Sequence, residues 1–136
     1  MTQRALCLIL LPLLMALGCG DSDPLNRQAV SGKIMLDGEL LADGTVEFTP
    51  VDNGASSGAT VKVGVFTIPQ EKGLPPGNYV VRISAASSSG VTAELPGESN
   101  QISAELIPEK YNTKSELSFH VDEKGNNVLE LDLKSK

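Results

Sequence analysis

An all-β sandwich is the fold class this sequence predicts, and three observations predict it. From residue 29 onward apolar and polar residues alternate with a period of two, the repeat of a strand with one buried face. Gly, Pro, Asn and Asp interrupt the alternation at short intervals, where tight turns need them. No stretch of that region carries the three-to-four spacing of an amphipathic helix. Short strands at such spacing close into a sandwich or a barrel.

The elements follow in order. Val30, Ile34 and Leu36 alternate with Ser31, Lys33 and Met35, and Asp37-Gly38 turns the chain. Asp43-Gly44 opens the next strand, in which Val46 and Phe48 face inward and Pro50 ends the run. Val61 and Val63 alternate with Thr60 and Lys62, Gly64 permits a reversal, and Phe66 and Ile68 resume the inward row. Gly73-Leu74-Pro75-Pro76-Gly77-Asn78 is a rigid turn that launches Tyr79, Val81 and Ile83. Leu117, Phe119 and Val121 form one late strand, and Leu129, Leu131 and Leu133 form the last. That makes about seven strands with a core of Val46, Phe48, Val61, Phe66, Tyr79, Val81, Ile83, Leu117, Phe119, Leu129 and Leu131.

One segment breaks the rhythm. Residues 87–114 begin small and polar and read as a long surface loop, with Gly90, Pro96 and Gly97 interrupting any ladder. Within it Leu106, Ile107, Pro108 and Tyr111 are expected to form a clasp, Leu106, Ile107 and Tyr111 docking on the domain. Loops held by a rigid scaffold carry most binding surfaces, so these four are the candidate binding residues.

The N-terminus has a different logic. A short start carrying Arg4, an apolar run over residues 5–17 and the small residue Gly18 describe a secretory signal. The run is too short for a membrane-spanning helix, which needs about 20 residues. Met15-Ala16-Leu17-Gly18-Cys19 resembles the lipobox of bacterial lipoproteins. The resemblance implies removal of residues 1–18 and acylation, including palmitate, at Cys19. Residues 19–28 would then be the lipidated cysteine and a flexible tether, and residues 29–134 the domain. Cys7 is the other cysteine and leaves with the signal, so the domain has no disulfide to lean on.

Charge and composition exclude several functions. The net charge of −6 argues against nucleic acid, whose phosphates require clustered Lys and Arg. Trp is absent, and the three Phe and two Tyr leave few rings for a sugar platform. His120 is the sole histidine and falls on the polar face beside Glu116 and Ser118. One histidine supplies neither the three or four ligands of a zinc site nor a base flanked by nucleophile and orienter. Asp37, Glu39, Asp43, Asp52 and the run from Asp122 to Asn127 offer oxygens for calcium, but without the alternating Asp and closing Glu of a calcium-binding loop. No catalytic residue, metal ligand or cofactor is therefore assigned.

Val30-Ser31-Gly32-Lys33-Ile34, then Leu36-Asp37-Gly38-Glu39-Leu40-Leu41 and Gly44-Thr45-Val46-Glu47-Phe48-Thr49-Pro50, resemble the carboxypeptidase regulatory-like domain. Pro76-Gly77-Asn78-Tyr79 matches that family's Pro-Gly-x-Tyr strand opening, and Leu106-Ile107-Pro108-Glu109-Lys110-Tyr111-Asn112 is similar to a segment of short bacterial lipoproteins of this type. The resemblance implies a seven-stranded Greek-key β-sandwich, transthyretin-like (prealbumin-like), acting as a non-enzymatic envelope module. Related hydrolases of hydroxyisourate use several histidines and a Tyr-Arg-Gly-Ser ending, whereas this chain ends Asp132-Leu133-Lys134-Ser135-Lys136. The expected partners are the membrane, through the lipid anchor, and an envelope protein or wall component, with the domain facing the periplasm or cell exterior. The alternative is an envelope module that binds a small ligand or calcium.

Overall fold

The computed structural model describes residues 23–87, 91–92 and 101–136. The signal, Cys19 and most of the small polar stretch before Gln101 lie outside the described residues.

The chain is all-β. Its strands are β1 (Val30–Leu36), β2 (Glu39–Leu40), β3 (Asp43–Pro50), β4 (Ser57–Lys62), β5 (Val65–Ile68), β6 (Gly77–Ser84), β7 (Val91–Thr92), β8 (Gln101–Ile102), β9 (Ser118–Val121) and β10 (Asn127–Leu133). Single 3₁₀ turns stand at Gln70–Lys72 and Glu109–Tyr111. The main sheet runs β10-β1-β5-β4-β3-β6-β9, with β2 paired to β1. All its pairs are antiparallel except β1 with β10, which run parallel from Val30↔Asn127 to Leu36↔Leu133.

This order forces the sheet to curl. Strands β9 and β10 stand at opposite ends of the seven-strand path, yet residues 122–126 join them directly. A flat sheet would separate those ends by about 29 Å at the usual strand spacing. Six Cα steps from Val121 to Asn127 reach at most about 21 Å. The bend falls between β4 and β5, which share the single rung Lys62↔Val65. Phe48 of β3 then meets Phe66 of β5 at 6.0 Å between ring centres and Phe119 of β9 at 5.8 Å, both tilted. Tilted rings at this spacing are a favourable arrangement, and they tie the two halves together.

The alternation read from sequence holds along the strands. Val46, Phe48, Val61, Phe66, Tyr79, Val81, Ile83 and Leu129 are buried. Leu117, Phe119 and Leu131 are only partly buried and pack on the margin of the core. The true centre includes residues outside the expected row: Leu41, Leu74, Ala85 and Ile107 come from connections between strands. Gly32 also belongs here, because a Cβ at this position would stand 2.2 Å from the Leu129 carbonyl oxygen and 2.5 Å from the Phe66 ring. The missing side chain is what lets Phe66 lie across β1.

Two hairpin turns use left-handed backbone. Asp37 and Gly38 have φ of 54° and 86°, the pairing expected of Asp-Gly in a two-residue hairpin. Val63 and Gly64 have φ of 48° and 73°. Gly64 was the expected reversal point, but Val63 was expected to continue the strand and instead occupies a conformation that β-branched residues avoid. Hydrogen bonds hold it there: Val63 N donates to Ala42 O at 2.8 Å, and Gly64 N to Leu41 O at 2.7 Å.

Two connections hold more structure than their composition suggests. Within the expected tether, Asp23 closes a turn on Arg27, and Asn26 and Gln28 bond to Glu123 and Leu74. The loop expected over 87–114 contains a ladder after all, with Val91↔Ile102 and Thr92↔Gln101.

Candidate functional site

Two regions gather functional groups: the clasp after β8 and the end of the sheet where the described chain begins.

The clasp is built around Glu105. Its carboxylate accepts from Ser84 Oγ at 2.6 Å, Ala85 N at 2.8 Å, Ile107 N at 3.0 Å and Asn112 Nδ2 at 3.1 Å. Partial burial pushes this carboxyl up. The donors from Ser84, Ala85, Ile107 and Leu106 outweigh that and hold it below its ordinary value. The chain thus returns to the end of β6, where Leu106 N also donates to Ala85 O at 2.7 Å.

Of the four candidate binding residues, two are structural. Ile107 is buried in the core, and Tyr111 packs against it while its hydroxyl accepts from Lys134 N at 3.4 Å. Pro108 is half-buried. Leu106 does not dock as expected: its side chain is 45% exposed, because the next residue takes the inward position. What the clasp presents outward is Leu106 with Glu109 and Lys110.

The other region is the end of the sheet holding the start of β1 and the β9–β10 turn. Asp23 accepts from Leu25 N at 3.0 Å, Arg27 N at 2.9 Å and Arg27 Nη1 at 3.3 Å. Those backbone donors, with the Arg27 charge beside them, keep its carboxyl below the usual range. Asn26 Nδ2 donates to Glu123 Oε1 at 3.0 Å, and Gln28 exchanges backbone hydrogen bonds with Leu74 at 2.8 and 3.1 Å. An open depression of about 330 Å³ adjoins this strap, lined by Gln28, Ser31, Thr67, Gln70, Asn126, Asn127 and neighbouring apolar or backbone groups. None of its lining side chains is charged, so it suits neutral hydrogen-bonding groups. Asn127 is itself buried, with Asp122 N donating to its Oδ1 at 2.7 Å and its Nδ2 donating to Asp122 O at 3.0 Å. It closes the β9–β10 turn.

A second depression, about 340 Å³, lies over β4, β3 and the end of β6. The register sets Thr60, Thr45 and Ser84 side by side across its floor, next to the Lys62–Asp43 ion pair.

The acids considered for calcium do not converge. Asp37 accepts from Ser135 N at 3.0 Å, Asp43 pairs with Lys62, and Asp52 lies past the other end of β3. Among the described residues, no group of three or more His, Cys, Asp or Glu side chains could hold a metal ion. His120 is exposed on β9, its Nδ1 2.7 Å from Asn78 Oδ1 and its Nε2 3.6 Å from Asp122 Oδ1.

Sequence reasoning missed both hubs, Asp23 and Glu105. For Asp23 a signal existed, since Asp at i with Arg at i+4 across a Pro-containing stretch favours a closed turn. For Glu105 there was none, because its partners Ser84 and Ala85 are distant in sequence. Comparison with protein-family models, curated proteins and solved structures finds no match for this chain, so its own geometry carries the functional argument.

Proposed function

We propose that this chain is an exported lipoprotein, acylated at Cys19 after loss of residues 1–18, whose β-domain serves the cell envelope as a non-enzymatic binding or structural module. The observation that carries the reading is the junction. An apolar leader ends in Gly18-Cys19, and four residues later Asp23 is already in a hydrogen-bonded turn with Leu25 and Arg27. A transthyretin-like, seven-stranded Greek-key sandwich of the carboxypeptidase regulatory-like kind is the finer fold we assign. It is supported by the seven-strand path, the bend between β4 and β5, and Phe48 packed between both halves. The partner is an envelope protein or wall component, met by side chains outside the core.

The non-enzymatic part rests on the chemistry of the side chains. The one histidine stands exposed between an amide and a carboxylate, and the best-organised carboxylate, Glu105, is committed to donors of its own fold. A second reading, a small neutral ligand, is favoured by the uncharged amide and hydroxyl lining of the 330 Å³ depression.

Metabolic labelling with an alkyne fatty acid tests the assignment. The wild-type protein should take up label and Cys19→Ser should take up none. Equal labelling of both would overturn Cys19 as the acylation site.

A further inference from the structure

The strap formed by residues 23–28 has a geometric consequence, which rests on the acylation of Cys19 proposed above. Asp23 closes the strap on Arg27, Asn26 ties it to Glu123, and Gln28 ties it to Leu74. The domain is therefore attached at one fixed end. From Cys19 to Asp23 there are four Cα steps, which reach at most about 14 Å whatever their conformation. An acylated Cys19 lies at the lipid interface, so this end of the domain is confined to within that distance of it. The opposite end is held away, since β1 carries the chain about 20 Å from Val30 to Leu36 and the Asp37–Gly38 turn.

The confined end suits a lipid surface. Leu25, Val51 and Val128, 51%, 62% and 53% exposed, are large apolar side chains it presents to solvent. Lys72 and Lys124 stand there without an ion pair among the described residues. Glu71, Glu123 and the exposed Asp52 and Asp122 share that end, so it carries no excess of positive charge to draw it onto anionic lipid. We propose that the domain rests directly on the bilayer, its strap, the Gln70–Lys72 turn and the β9–β10 turn lying against phospholipid headgroups. Held by a short tether and not by charge, the contact should survive high salt. The far end, with Glu39, Leu40 and Val63, is left for a protein or wall partner.

Full-length protein purified from bacterial membranes tests this. The acyl mass on Cys19 is verified first, and an unmodified Cys19 would overturn the anchoring reading itself. Lys124→Cys and Glu39→Cys, both at exposed positions, each supply a thiol for a fluorophore. Asn126→Cys, also exposed, replaces the first should it fold poorly. The labelled proteins are placed in phosphatidylcholine vesicles containing a lipid with a nitroxide headgroup. The label at 124 should lose most of its emission, at low and high salt alike, while the label at 39 keeps most of its own. Equal quenching of both labels on acylated protein, or stronger quenching at 39, would overturn the proposal and leave the acylation intact. Loss of emission at 124 that also occurs without nitroxide lipid and grows with protein density would assign that surface to a second copy, overturning it equally.

Discussion

Val63 carries the clearest local strain in the domain. A β-branched residue at φ 48° crowds its own backbone, and its side chain is 67% exposed, so little packing offsets that cost. Asn-Gly is the favoured dipeptide of such turns, and Val63→Asn should stabilise the protein by about 1 kcal/mol. Urea unfolding measures it; destabilisation would mean that Val63 packs in a way its exposure conceals. The core yields a second test. Phe48 is fully buried and touches both Phe66 and Phe119, whereas Phe119 lies on the margin. Phe48→Ala should cost about 3–5 kcal/mol and Phe119→Ala clearly less. Equal losses would place the centre of the core elsewhere. Inward faces were legible from alternation alone, because a strand's period fixes them. Depth was not, because it depends on which strand lies at an edge, and β9 ends the sheet.

At the scale of elements, turn chemistry was more legible than the long connections. Asp37-Gly38 and Gly64 are hairpin turns as read, and Tyr79 opens β6 with its hydroxyl donating to Pro75 O at 2.8 Å. The clasp was visible as a place but not as a mechanism. Its 3₁₀ turn and buried Ile107 follow from local pattern, while Glu105 works through partners on β6 that no local pattern reveals. Removing its carboxylate leaves Ala85 N and Ile107 N without their acceptor. Glu105→Ala should therefore lower local stability by about 1–2 kcal/mol, read as faster hydrogen exchange at Ala85, Leu106 and Ile107. Glu109→Gln, which breaks only an exposed pair with Lys114, should leave those amides unchanged. Unaltered exchange in the Glu105 variant would mean that Ile107 packing alone holds the clasp.

At the scale of the whole molecule, five carboxylates are shifted in the same direction. Asp23, Asp37, Glu105, Glu109 and Asp132 are all held below their ordinary values by hydrogen bonds from backbone or side chains. Each favours the folded state above its unfolded pKa, and that contribution is lost as pH falls through the lower, folded value. Lys114 and Lys134 are shifted up by Glu109 and Asp132, so their contribution is present at neutral pH and lost only as pH rises through their raised values. Stability should stay level through the neutral range and decline below about pH 4, where carboxylates ordinarily titrate. Thermal unfolding followed across pH checks this; a decline that is already well advanced in the neutral range would contradict it. The architecture itself was legible as a class, since alternation and turns specify strands. The strand order was not, because the parallel β1–β10 pair depends on how the chain returns after β9.

Membrane anchoring turns on the junction between leader and domain, where Gly18-Cys19 precedes the strap over residues 23–28. The intact mass of the protein extracted from bacterial membranes tests it most directly. A chain beginning at Cys19 and carrying two or three acyl groups on that residue is the result predicted. A chain beginning elsewhere, or beginning at Cys19 with a bare thiol and amine, would contradict it.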